Sequence, residues 1–118
     1  MARDHADDLL PLPEATFHIL VALADQERHG YAIMQDVTER TDGKVRLSAG
    51  TLYSAVRRML EQGLIEELRE SPDPASADER RRYYGITALG RAVALAEARR
   101  VTELLSQARA AGLIPRKL

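Results

Sequence analysis

Apolar side chains fall at helical spacing three times along the first half of the chain, and then the period changes. From Pro13, which offers a helix start in its first turn, Phe17, Leu20, Val21 and Ala24 share one face, and Ile19 and Leu23 widen it. The polar run "DQERHG" at 25–30 closes this first helix, with Gly30 as the expected chain-reversal residue. A second helix is expected from Tyr31 to Thr41, with Ile33, Met34 and Val37 inside, and "TDGK" at 41–44 marks a turn. The third helix has the clearest start. Ser48 is placed to cap the amide of Thr51, and Leu47 and Leu52 sit at the spacing of a hydrophobic staple. Leu52, Ala55, Val56 and Met59 then form its stripe, and Gly63 ends it.

Beyond Gly63 the helical period gives way to "LIEELRE", the polar, proline-containing "SPDPASADE" and then "RRRYYGI", which read as two strands of a hairpin with a long tip. In the second strand, alternation puts Arg82, Tyr84 and Ile86 on one face and Arg81 and Tyr83 on the other. Thr87 is placed to cap a last helix running through Ala111. A hairpin directly after two helices joined by a tight turn is a wing. The expected fold is therefore mainly α with a small β-hairpin wing: a winged helix-turn-helix plus one long C-terminal helix. The boundaries follow as 1–12 for an N-terminal extension, 13–87 for the winged helix-turn-helix, and 88–118 for the C-terminal helix and tail.

Composition narrows the chemistry. Of the 118 residues 17 are basic and 18 acidic, so a polyanionic partner would require positive charge concentrated on one face. Cysteine is absent, which excludes disulfides and thiolate metal sites. Phe17 and four tyrosines are the only aromatic residues, leaving Leu, Ile, Val, Met and Ala to build the core. No apolar run is long enough for a bilayer and the acidic N-terminus does not read as a signal peptide, so a cytoplasmic protein without membrane contact is expected. His5, His18 and His29 are scattered without carboxylates at ligand spacing. No phosphate loop or nucleophile motif occurs, so neither catalytic residues nor a metal or other cofactor is expected.

Four segments carry a more specific signal: "ILVAL" at 19–23, "HGYAI" at 29–33, "GTLYSAVRRMLEQGLIE" at 50–66 and "RRRYYGITALGR" at 80–91. In order and spacing the chain resembles the PadR-type transcriptional regulators of bacteria. That resemblance implies a homodimer that binds a double-stranded DNA operator, usually as a repressor. It also implies dimer contacts from the C-terminal helices and, in many members, release of DNA by a small-molecule effector. Ser54 stands where the family often has proline after "LY", and Leu60 where an acidic residue is common.

In a helix-turn-helix the start of the second helix of the motif meets base edges. The positions off the apolar stripe there include Ser48, Gly50, Thr51, Tyr53 and Arg57. Gly50 allows close backbone approach, Thr51 offers a hydroxyl, and Arg57 suits guanine or phosphate. The resemblance places a tyrosine on the DNA side at Tyr53. Tyr31 and Lys44 are candidate backbone contacts. The opposing reading is a solvated helix face, with the ring of Tyr31 packed beneath the wing. Arg81, in the arginine run 80–82, would supply sequence-independent affinity through counterion release. Alternatively the run pairs locally with Asp78, Glu79, Glu66 and Glu67, in exposed pairs worth less than about 1 kcal/mol each.

Along the last helix Ala94, Ala98, Val101, Leu105 and Ala108 alternate by four and three residues, a seam suited to pairing with a second copy. The competing arrangement folds this helix back on its own domain. An effector site would lie between the C-terminal helices and the domain body. A winged-helix protein-interaction module without specific DNA binding remains the alternative function.

Overall fold

The computed structural model describes residues 5–68 and 82–114. After a 3₁₀ turn at His5–Leu9 come α1 (Glu14–Leu23), β1 (Arg28–His29), α2 (Gly30–Arg40), α3 (Ala49–Gln62), β2 (Ile65–Glu67), β3 (Tyr83–Ile86) and α4 (Ala88–Ala110). The architecture is mainly helical with a small antiparallel sheet, a winged helix-turn-helix carrying one long terminal helix. The core sits where α1, α2 and α3 meet. Ile19, Leu20, Ile33, Val37, Leu52 and Met59 are inaccessible there, each contributing roughly 1.5–3 kcal/mol by burial. Leu60, the unusual apolar residue of α3, is half-buried against the same core.

Local rules account for most helix boundaries. Ser48 Oγ accepts the amide of Thr51 at 3.1 Å, and Thr87 Oγ1 that of Gly90 at 3.0 Å, so both expected caps are in place. Gly63, with φ 79°, follows the last residue of α3. The turn between α2 and α3 carries two positive-φ residues, Asp42 and Gly43, and is tied by Thr41 Oγ1, which accepts the amide of Val45 at 3.0 Å. Pro13 lies one residue before α1, in the cap position and not in the first turn, and α4 stops at Ala110.

The sheet departs from the expected two-stranded hairpin. Its order is β1-β3-β2, all antiparallel, with Arg28 opposite Tyr84, His29 opposite Tyr83, and Ile65 opposite Ile86. Residues 25–30 are therefore not simply a helix end. Gly30 does not reverse the chain; it is the buried first residue of α2, directly after a strand. The tip of the hairpin, with Arg80 and Arg81, lies outside the described residues, as do Asp78 and Glu79. Tyr84 is buried, and its hydroxyl is shifted to higher pKa first by that burial and then by the nearby Glu67 carboxylate.

Two junctions fix α4. Thr87 Oγ1 donates to the carbonyl of Gly63 at 2.6 Å, and its amide donates to Leu64 O at 3.1 Å. One turn on, a Cβ at Gly90 would collide with the Leu64 carbonyl, so only glycine lets α4 start this close to β2. Val93 enters the core. The N-terminal segment, which has no periodicity in sequence, is part of the packing. The 3₁₀ turn lies on α4, with Ala6 and Leu12 buried. Glu97, 4 % exposed, accepts the Leu12 amide at 3.4 Å and holds Arg100 through bonds of 2.8 and 2.9 Å.

Glu97 is held below the ordinary carboxylate range chiefly by the Arg100 hydrogen bond; burial opposes this and the Leu12 amide supports it. A folded-state pKa below the unfolded value contributes stability that is complete above the ordinary carboxylate range and is lost as pH falls through the folded value. Replacing Glu97 by Gln should therefore cost about 1–3 kcal/mol near neutrality, a difference that shrinks on acidification. Urea melts across acidic and neutral pH test this, and a pH-independent difference would refute the linkage.

Candidate nucleic-acid interface

Two helix starts converge at one end of the core. The first residue of α2, Gly30, faces the ring of Tyr53 from α3, and a Cβ at Gly30 would collide with the Tyr53 hydroxyl. This close approach brings Tyr53, 37 % exposed, beside Tyr31, 58 % exposed. The two tyrosines expected on the binding side thus share one surface.

His29 links that surface to the sheet. Its Nδ1 accepts the amide of Ala32 at 3.1 Å and so caps α2, which requires the ring to be unprotonated at that nitrogen. The same ring stacks on Tyr31 at 6.5 Å between centroids and meets Tyr83 of β3 edge-on at 5.3 Å. Tyr31 is therefore neither buried beneath the wing nor isolated. It stands exposed, with His29 between it and the base of the wing. Sequence reasoning missed His29, because histidine is outside the usual capping set; the motif "HGY" was its only signal.

Gly50, Thr51, Tyr53, Ser54 and Arg57 form the exposed face of α3, with Ser48 exposed at its cap. Lys44 and Arg46 are exposed in the preceding turn. Charge is sorted around them. Arg28 donates from Nε to Ala22 O at 2.7 Å and lies 3.4 Å from Asp36, and Arg40 also binds Asp36, at 2.7 Å. Arg82 lies 3.5 Å from Glu67, so one arginine of the wing does pair locally. By contrast Lys44, Arg46, Arg57 and Arg58 have no ion-pair partner among the described residues. Arg81 lies outside the described residues. No group of three His, Cys, Asp or Glu placed to hold a metal occurs among the described residues.

The Transcriptional regulator PadR-like family model matches residues 19–96, from the middle of α1 into α4. The chain belongs to this family. A PadR family transcription regulator from Clostridium difficile is 26 % identical and superimposes with a TM-score of 0.70, covering 82 % of this chain and 96 % of that one. A transcriptional regulator from Clostridium thermocellum is 25 % identical with a TM-score of 0.63, covering 82 % and 88 %. Bacillus subtilis PadR, in complex with operator DNA, shares the fold at 20 % identity and a TM-score of 0.57, covering 69 % of this chain and 44 % of that one. An uncharacterized protein of Lysinibacillus sphaericus is 32 % identical over 74 residues, 63 % of this chain; the match spans 65 % of that relative's own length. No helix among the described residues is long and apolar enough to cross a membrane.

The PadR-like "HGY" and "GTLY" segments meet at Gly30. Gly30→Ala should push the end of the part-exposed Tyr53 ring aside at a cost of no more than about 1 kcal/mol, read as a slightly lowered midpoint in thermal melts. An unchanged midpoint would show that the Tyr53 ring swings away freely.

Proposed function

We propose that this chain is a sequence-specific DNA-binding transcriptional regulator, acting as a homodimeric repressor on a pseudo-palindromic operator. The observation that carries the reading is the set Lys44, Arg46, Arg57 and Arg58 around an exposed α3 face, without an ion-pair partner among the described residues, in a chain of net charge −1. Cations that no acid pairs among the described residues suit a polyanion. The operator complex of the Bacillus subtilis relative supports the same reading. On this reading α3 would enter the major groove, Arg57 would read a base edge, and Ser48, Gly50, Thr51 and Tyr53 would meet the backbone and adjacent bases. Tyr31, Lys44 and Arg81 add backbone contacts that carry affinity without sequence information.

The dimer would be formed through α4. Its first half packs on α1 and on the N-terminal turn, whereas Val101, Leu104 and Leu105 of its second half are exposed. Ala94 and Ala98 line an apolar groove of about 410 Å³ against Phe17, Leu20 and Val21 of α1. Groove and exposed helix together form an apolar surface that a second copy would cover, Ala108 extending the seam. An effector that releases DNA would enter beside this groove.

Capture of fragmented genomic DNA at physiological salt, followed by sequencing, should enrich a few pseudo-palindromic sites. No enrichment from folded dimer would favour the protein-interaction alternative. Arg57→Ala should change the enriched motif, and an unchanged motif would reduce Arg57 to a backbone contact. Placing glutamate at both Val101 and Leu105 should halve the mass seen by light scattering while helical content is retained. A dimer that survives these changes would exclude this seam.

A further inference from the structure

Beside the face that would read bases lies a second feature of α3. A crevice of about 340 Å³ separates the start of α1 from the first three turns of α3, with Thr16 on one wall and Gly50, Thr51, Ser54 and Arg58 on the other. We propose that this crevice seats one backbone phosphate of bound DNA, with the Thr16 hydroxyl and the Arg58 guanidinium as its two side-chain donors. The proposal rests on the DNA-binding reading above and adds to it a contact from α1, outside the helix-turn-helix.

Thr16 is the decisive residue. It is 3 % exposed, yet its hydroxyl has no hydrogen-bond partner among the described residues. No buried polar side-chain atom among the described residues lacks a partner, so this hydroxyl keeps some access to solvent, and Thr16 lines the crevice. A phosphate oxygen is an acceptor of the right kind. Arg58 opposes it as an exposed guanidinium with no ion pair among the described residues, free to bind phosphate oxygens in pairs.

The backbone favours an anion at the same place. Pro13 supplies no side-chain bond to the first-turn amides of α1, which point their partial positive charge out of the helix start. The acid of that turn, Glu14, lies 3.6 Å from His18 and is not part of the crevice wall. Across the gap, a Cβ at Gly50 would meet nothing within 4 Å, so the glycine leaves room that no protein atom fills. Ser54 and Arg58 follow Tyr53 and Arg57 directly in sequence, so the crevice borders the proposed base-reading face. There the sugar-phosphate strand flanking an occupied major groove must pass.

The test compares wild-type protein with Arg58→Ala, the near-isosteric Thr16→Val and their double variant, binding a random-sequence duplex over a range of salt. Arg58→Ala should weaken binding roughly 3–10-fold and reduce the slope of log affinity against log salt by about one. Thr16→Val should weaken binding about 3–10-fold with the slope unchanged, since it removes a neutral donor. Because both donors hold one phosphate, the double variant should lose less than the product of the single losses. Thermal melts identify misfolding of the Thr16 variant; in that case the surface variant Arg58→Ala decides through its slope. Wild-type binding with unaltered affinity and slope in the variants, or strictly multiplicative losses, would overturn the phosphate seat and leave DNA binding standing. Failure of the wild-type protein to bind duplex at any salt would overturn both.

Discussion

The arrangement depends on one close approach, the Tyr53 ring against the bare Cα of Gly30. Helices α2 and α3 share only a modest core, and at their common end the backbone of one meets an aromatic side chain of the other with no space for a methyl group. That contact fixes more than a helix pair. Gly30 follows β1 directly, and β1 pairs with the central strand of the sheet. The position of Tyr53 on α3 is thereby coupled through Gly30 to the strand that carries the wing. His29 reinforces the link, capping α2 with one ring nitrogen while its faces and edges meet Tyr31 and Tyr83. A surface assembled this way is set before any ligand arrives, and the ordering cost of binding falls accordingly.

Charge follows the same logic of satisfied and unsatisfied groups. The end of α1 receives two guanidinium donors, Arg28 on Ala22 O and Arg91 on Ala24 O, where the helix dipole favours cations. Asp36 serves both Arg28 and Arg40, and Glu97 serves Arg100. These pairs neutralise the flank and the back of the molecule. The basic residues next to α3 have no ion-pair partner among the described residues, so a chain with almost no net charge still offers cations there. The sign of the total was uninformative because ion pairs neutralise charge locally, Asp36 alone serving two arginines.

Local chemistry was readable from the sequence, and long-range chemistry was not. Ser48 and Thr87 are caps because a hydroxyl placed just before an apolar helical pattern has one favourable use. The stripe of α3 required only its period. Strand β1 could not be found this way, since two residues have no period and its evidence is the partner strand far along the chain at Tyr83 and Tyr84. Gly30 resembled a helix stop because glycine after a polar run usually is one; the reason for its presence is a ring on another helix. Glu97 is a buried anchor through partners that no local pattern marks, the amide of Leu12, far away in sequence, and Arg100. The exposed face of α3 was legible residue by residue, while Thr16 was hidden because a threonine in a first helical turn has many uses.

The last helix shows how side-chain size turns packing into shape. Where α4 crosses α1, Val93 and Glu97 face inward and are buried, and the neighbouring Ala94 and Ala98 are too small to close the surface over Phe17 and Val21. Larger residues there would complete the domain by itself. Alanines instead leave a concave apolar strip that continues into the exposed Val101 and Leu105. Water against such a strip is costly, and a convex apolar helix fits it better than solvent does. In the dimer we propose, the helix that supplies the convex face is the same α4, related by a twofold axis. The spacing of the two α3 faces is then decided by where along α4 the small residues stop and the large ones begin.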